Sequence, residues 1–185
     1  TDLNFGSFPR DEEVAKRIGE NSSKYGFPIS LMTTTGKTKS ERVLRAISHF
    51  EGISMTMSVQ SLNDEVLSHI KRTNFPLNKY VEYQNVLKKR KTLSKSDTIM
   101  GLPMDTREKH LETLEKLLKV RIDVIDTFSY MMLKGTHDEK PEIRKKYNFK
   151  TKWRLLPGNF SKYNNAKDIV FEFEEIVISS NTFSF

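Results

Sequence analysis

Apolar positions along this chain follow two periods in alternation. Ile29–Thr34 is a short apolar run ending in threonines, and Lys39–Ser48 then sets Val43, Leu44 and Ile47 on one helical face. Ile53–Gln60 carries Met55, Met57 and Val59 at spacing two, as a strand buried on one side would, and Asn63–Arg72 places Val66, Leu67 and Ile70 on one side of a helix. Leu77–Arg90 reads as a further helix with Val81, Val86 and Leu87 on its apolar side, and Ser96–Met100 as a strand running into the turn Gly101-Leu102-Pro103. Asp105 is the expected N-cap of the next helix, with Glu108 three residues on as in a capping box. Leu111, Leu114, Leu117 and Leu118 form the stripe expected to face the sheet. Ile122–Phe128 supplies another strand.

Strands separated by helices of ten to fifteen residues are the pattern of βαβ units, hence an α/β fold with a parallel sheet and helices outside it. Periodicity alone does not decide between a barrel and an open sheet. The character changes after Tyr130: residues 135–141 are loop-like, Glu142–Tyr147 suits a short helix, and Ile169–Ile178 alternates in part. Residues 1–130 therefore read as the core and 131–185 as a C-terminal extension.

Composition narrows the chemistry. The 185 residues suit one domain and fall short of the roughly 250 of a full eight-unit barrel. The net charge of +7 would attract phosphates, RNA or an anionic cofactor without choosing among them. There is no cysteine, which removes disulfides, thiolate catalysis and any cysteine-ligated zinc or iron–sulfur centre from what this chain does alone. No run approaches the roughly 20 apolar residues of a membrane span, and the start Thr1-Asp2-Leu3-Asn4-Phe5 lacks a signal peptide's pattern, so a cytoplasmic protein is expected. The chain does not begin with Met and reads as a fragment. None of the four histidines pairs with another at ligand spacing, and His69 and His110 are expected to face solvent, so no metal site is assigned. Gly36-Lys37-Thr38 lacks the preceding glycine of a phosphate-binding loop.

In parallel α/β architectures functional groups collect at the carboxyl ends of the strands. Here those ends read Asp2-Leu3-Asn4-Phe5-Gly6, Thr33-Thr34-Thr35-Gly36, Ser58-Val59-Gln60-Ser61, Gly101-Leu102-Pro103-Met104-Asp105 and Ser129-Tyr130. Their hydroxyls, carboxamides and carboxylates suit ribose hydroxyls or an amino group, although any one of them equally suits a helix cap. Lys88-Lys89-Arg90-Lys91 ends a helix where positive charge is favoured. Lys145, Lys146, Lys150, Lys152 and Arg154 interleave with Tyr147, Phe149 and Trp153, which suits either an RNA-binding surface or a strand packed onto the core.

These motifs resemble the radical S-adenosylmethionine (radical SAM) superfamily, in the branch often carrying an upstream cobalamin-binding domain. Asp2-Leu3-Asn4-Phe5-Gly6 with Pro9-Arg10-Asp11 is similar to that branch's second strand and loop, and Ser58-Val59-Gln60-Ser61 to its ribose-contacting fourth strand. Arg72 stands where many members carry a basic residue. Ser96 to Thr106 is similar to the fifth-strand motif usually written with GLPGET, with Met104 and Asp105 in place of the usual Gly and Glu. Lys152-Trp153-Arg154-Leu155-Leu156-Pro157 and Ser180-Asn181-Thr182-Phe183-Ser184 also resemble this branch. The resemblance implies a partial (βα) barrel, incomplete at its N-terminus, that binds S-adenosylmethionine through Asp2, Asn4, Thr34, Ser58, Gln60, Ser61, Ile99, Gly101 and Asp105. It implies a 4Fe-4S cluster whose CxxxCxxC ligands are expected upstream of this chain. The implied reaction is reductive cleavage of S-adenosylmethionine to a 5′-deoxyadenosyl radical or, with cobalamin, methyl transfer to an unactivated carbon. A reductase or flavodoxin-like electron donor is the implied partner, the substrate being a small molecule or a modified biomolecule. No residue is singled out as catalytic. An RNA-binding module and a non-catalytic, cluster-free homologue remain the other readings.

Overall fold

A computed structural model of the protein describes residues 4–35, 39–90, 92–162 and 169–184. The first helix, α1 (Pro9–Tyr25), has no apolar stripe. It buries Asp11, Ala15 and Gly19, one small or polar residue per turn, against α2 (Ser40–Ser48), whose Val43, Ala46 and Ile47 are buried in turn. Gly19 permits this approach, since a Cβ there would lie 2.0 Å from the carbonyl oxygen of His49. Asp11 accepts from the amides of Gly6 (3.0 Å) and Phe8 (2.9 Å) and so fixes the entry into α1.

The strands β1 (Leu31–Thr34), β2 (Ile53–Thr56), β3 (Ser94–Met100) and β4 (Val124–Ser129) form one sheet in the order β1-β2-β3-β4, every pair parallel. Phe5 adds one further parallel bridge, to Thr35, on the free side of β1. The architecture is α/β, a partial barrel that does not close. Helices α3 (Asp64–His69), α4 (Leu77–Lys89) and α5 (Arg107–Lys119) complete the set around the sheet. The core lies between sheet and helices: Ile53, Met55, Met57 and Val59 are buried along the β2 line together with Tyr80, Tyr83 and Leu87 of α4 and Leu117 of α5. Burial holds the Tyr80 and Tyr83 phenols protonated well above their ordinary range. Strand β3 brings hydroxyls to its buried side instead, with Ser96 donating to the Met57 carbonyl at 2.9 Å and Thr98 meeting Thr127 at 2.8 Å.

Five expectations need correction. Thr106, not Asp105, caps α5, its hydroxyl accepting from the Lys109 amide. The helix turns His110, Thr113 and Leu117 inward, leaving Leu111 and Leu118 at 43% and 62% exposure. The leucine stripe is therefore rotated by one residue, because Thr113 has a partner inside: it accepts from the Leu62 amide at 3.1 Å. By the same rotation His110 is buried, not solvent-facing, whereas His69 is exposed as expected. On α4 the buried side is Tyr80, Tyr83, Gln84 and Leu87, and Val81 faces out. The helix after β2 is shorter than Asn63–Arg72, ending at His69.

Beyond β4 the chain forms a short 3-10 turn (His137–Glu139), α6 (Pro141–Tyr147) and a long antiparallel hairpin of β5 (Lys150–Lys162) and β6 (Ile169–Ser179). The hairpin is a separate sheet, and β6 is tied to the segment just past β4: Met131 bridges Ile176, the Val177 amide donates to the Tyr130 carbonyl, and the Met132 amide donates to the Glu175 carbonyl. Arg144 of α6 grips the Glu175 carboxylate with two bonds of 2.6 and 2.7 Å, and Thr151 donates to it at 2.5 Å. Among the described residues no helix is long and apolar enough to cross a membrane.

The Arg144 guanidinium and the Thr151 hydroxyl pull the Glu175 carboxyl down from 4.5 to about 2. A depressed acid contributes its stability above the unfolded value, so this contribution should be complete above 4.5 and fade as the pH falls toward 2. Glu175→Gln should cost on the order of 1–3 kcal/mol at neutral pH by removing the counter-charge of Arg144, and flatten that acid limb. Urea midpoints measured between pH 7 and pH 3 check both effects.

Candidate functional site

Because all four strands run the same way, their carboxyl ends lie along one rim. Asn4 and Phe5 flank the end of β1, with the Phe5 amide on the Thr34 carbonyl at 3.1 Å. Thr34 ends β1, Ser58 to Ser61 follow β2, Ile99 and Gly101 end β3, and Tyr130 follows β4. The structure thus brings Asn4, Thr34, Ser58, Gln60, Ser61, Ile99, Gly101 and Asp105 to one end of the sheet; Asp2 and the Gly36-Lys37-Thr38 segment lie outside the described residues.

The rim is shaped by a bulge. The amides of Val59 and Gln60 both donate to the Asp97 carbonyl, at 3.1 and 2.9 Å, and the Ile99 amide then donates to the Gln60 carbonyl at 2.9 Å. Gln60 sits there with φ of 62°, in the left-handed region. Two buried acceptors flank this seam, one on each side of it. Gln60 Oε1 and Asp97 Oδ1 are both shielded from solvent and have no donor among the described residues, while the other Asp97 oxygen accepts from the Ser58 hydroxyl at 2.7 Å. A buried acceptor without a donor is costly, on the order of 1–3 kcal/mol each, so both oxygens are open to a further donor.

Other polar groups of the rim are already committed. Ser61 is buried, its hydroxyl accepting from the Asn63 amide at 3.1 Å, and its carbonyl accepts from Asn74, which also donates to the Val59 carbonyl. Asp105 turns into its own loop: its carboxylate accepts from the amides of Gly101 (3.2 Å) and Thr106 (3.0 Å) and lies 3.9 Å from His110 Nδ1. Burial pushes the Asp105 carboxyl up and the His110 imidazole down, each partly offset by the other. Sequence reasoning singled out neither Asp97 nor Asn74. Asp97 carried a signal, lying two residues before Ile99 on one strand face; Asn74, in an irregular loop, carried none.

A cavity of about 350 Å³ opens at this end of the sheet, with Gln60, Ile99 and Leu102 on the strand side and Tyr130, His137 and Asp138 on the extension side. Lys71 and Arg72 close a third side. Tyr130 donates to Asp138, whose other oxygen meets His137 Nδ1 at 2.9 Å. Burial and the Asp138 carboxylate hold the Tyr130 phenol protonated far above its usual range. Among the described residues no group of three His, Cys, Asp or Glu side chains converges as metal ligands do.

No family model matches the chain. It is 29% identical over 122 residues to the cobalamin-dependent radical SAM methyltransferase TokK of Streptomyces tokunonensis, covering 64% of this chain and 18% of that protein. It is 24% identical to a 2-(S-pantetheinyl)-carbapenam-3-carboxylate methyltransferase of Streptantibioticus cattleyicolor, over 92% of this chain and 26% of the relative. A tRNA-2-methylthio-N(6)-dimethylallyladenosine synthase of Clostridium botulinum is 26% identical, over 92% and 39%. The chain thus spans well under half the length of these curated relatives. In fold it is similar to the radical SAM methyltransferase TsrM of Kitasatospora setae, solved with tryptophan and a SAM analogue, with a TM-score of 0.54 and 14% identity over 70% of this chain and 26% of that one. The proteins this chain is related to are radical SAM enzymes, cobalamin-dependent methyltransferases among them.

Gly101 holds a φ of +86°, and a Cβ there would lie 3.2 Å from the Phe183 ring. Gly101→Ala should therefore lower stability by about 1–2 kcal/mol through backbone strain and crowding together. A lower urea midpoint with an unchanged slope is the expected result.

Proposed function

We propose that this chain is the greater part of the barrel of a radical SAM enzyme and that its strand ends hold the adenosyl part of S-adenosylmethionine. The carrying observation is the pair of orphaned acceptors at the β2–β3 seam, Gln60 Oε1 and Asp97 Oδ1. A ribose diol brings hydroxyl donors, which is what each of these two acceptors lacks. The Ile99–Gly101 backbone at the end of β3 offers an edge for a flat ring, the space a Gly101 side chain would need being taken by the Phe183 ring. Asn4, Thr34 and Ser58 line the same rim; Asp2 belongs with them on the resemblance alone. Ser61 and Asp105 act in this reading through the loops they hold.

The residues present fit the nucleoside and do not fit the cluster, since no thiolate exists in the chain. The cysteines that a 4Fe-4S cluster needs would come from outside these residues, and the chain by itself would be inactive. In the complete enzyme the cofactor would supply a 5′-deoxyadenosyl radical or, with cobalamin, a methyl group. An electron from a reductase or flavodoxin-like partner and a cytoplasmic location belong to the same reading. Residues 1–130 would form the barrel core and 131–185 the extension facing the substrate. The kinship with TokK and the carbapenam methyltransferase favours methyl transfer to a small molecule over action on RNA.

Two measurements test this. Anaerobic reconstitution of the chain with iron and sulfide should yield no stoichiometric cluster and no visible absorbance band of one. Calorimetric titration with S-adenosylmethionine should show binding that Gln60→Leu weakens roughly five- to hundredfold, the cost of leaving a buried ligand hydroxyl unpaired. An unchanged affinity with a lowered melting temperature would make Gln60 scaffold and remove the reading's main support.

A further inference from the structure

Residues 180–184 form a turn that is anchored before it reaches the rim. The Ser180 amide donates to the Phe183 carbonyl at 2.7 Å, and Ser184 bridges back to Ser179. Asn181 ties the turn to α6, its amide donating to the Tyr147 carbonyl at 2.9 Å and its side chain to the Lys146 carbonyl at 3.0 Å. From this anchored turn two side chains reach the loop after β3. Thr182 Oγ1 donates to the Asp105 carbonyl at 2.6 Å. Phe183, buried to 8% exposure, lays its ring against Gly101.

That loop needs an external hold. Gly101 has φ of 86° and Met104 φ of 64°, so two of its five residues occupy the left-handed region, one of them with a full side chain. Its internal restraints are the Asp105 amide on the Leu102 carbonyl at 3.0 Å and the Asp105 carboxylate on the amides of Gly101 and Thr106, and that carboxylate is disfavoured as an anion by its burial. Without the turn, a ligand would have to order the loop at its own expense; with it, the ordering is complete before binding.

We propose that Thr182 and Phe183 are positioning residues for the nucleoside site, clamping the Gly101–Asp105 loop in the shape that binds ligand at the strand ends. This rests on the adenosyl reading above and deepens it: the extension preorganises the loop from behind, touching its backbone and not the ligand. The pairing divides the labour, with Thr182 fixing the loop's far end through a carbonyl and Phe183 fixing its near end through contact.

The test uses the chain as it stands, S-adenosylhomocysteine as the probe, and amide hydrogen exchange of residues 101–105. Thr182→Val keeps the volume and removes the donor. It should weaken the probe roughly three- to tenfold and speed exchange within 101–105, while β1 and β2 amides stay as protected as before. Thr182→Ser, which keeps the hydroxyl, should restore both affinity and protection, a rescue that a loss of bulk stability would not give. Should Thr182→Val fold poorly, Phe183→Leu loosens the other contact and should produce the same localised exchange. Unchanged exchange at 101–105 would overturn the clamp; faster exchange with unchanged affinity would overturn its role in positioning. If the unaltered chain does not take up the probe, the adenosyl reading falls and the positioning role with it, while the exchange data still decide whether the clamp exists.

Discussion

One carbonyl, that of Asp97, receives two consecutive amides, those of Val59 and Gln60. This bulge is where the buried strand pattern stops and the rim begins. Up to Val59, every second residue of the β2 line points into the core: Ile53, Met55, Met57 and Val59 are all essentially inaccessible. The extra residue then breaks the period, so Gln60 can be half-buried at the rim with its carbonyl still bonded to the Ile99 amide. Chain continuity with β3 is kept while one carboxamide is re-aimed. The turn that follows is held by Asn74, which reaches the carbonyls of both Val59 and Ser61 from fourteen or so residues away, so the bulge is braced on both sides.

The same seam explains what could be read from the sequence. β2 and α2 were legible because their apolar residues alone decide their orientation: spacing two over Met55, Met57 and Val59, and the face of Val43 and Ile47. β3 and α5 were legible as elements, but their faces were not, since the buried side of each is set by hydroxyls and an imidazole with specific partners. Ser96 and Thr98 point inward because Met57 and Thr127 await them, and Thr113 because the Leu62 amide does. Hydrophobicity carries no information about such pairs, and so the leucine stripe of α5 pointed the wrong way. α1 went unread for a related reason: a helix that buries Asp11, Ala15 and Gly19 makes its contact by being thin, which no apolar count registers.

The rim residues divide in a comparable way. Gln60 and Gly101 stood out in the sequence because their positions at strand ends are fixed by the α/β order. Asp105 stood out too, but its carboxylate serves the loop's own amides, a use that spacing alone could not separate from ligand binding. The replacement of the usual glycine by Met104 shows what that costs. The loop keeps a left-handed residue at 104 without glycine's freedom, and the surrounding bonds, from Lys109 to the Met104 carbonyl at 2.8 Å and from Thr182 to Asp105, hold it there.

The extension adds a second set of constraints to the same cavity. Three of its basic residues are taken by acidic partners: Arg144 by Glu175, Arg154 by Glu174, and Lys134 by Glu139. Arg144 and Arg154 thus help hold α6 and the hairpin together, and Tyr130 and Tyr147 each meet the Phe149 ring, while Trp153 stands exposed. Tyr130 is at once the residue after β4, a member of this aromatic cluster, the donor to Asp138 and a wall of the cavity that Gln60 lines from the other side. A shift of the extension would therefore move one wall of the site without altering the strands that form the other. Tyr130 itself is held from both sides, its amide donating to the Met100 carbonyl of β3 and its carbonyl accepting from the Val177 amide of β6.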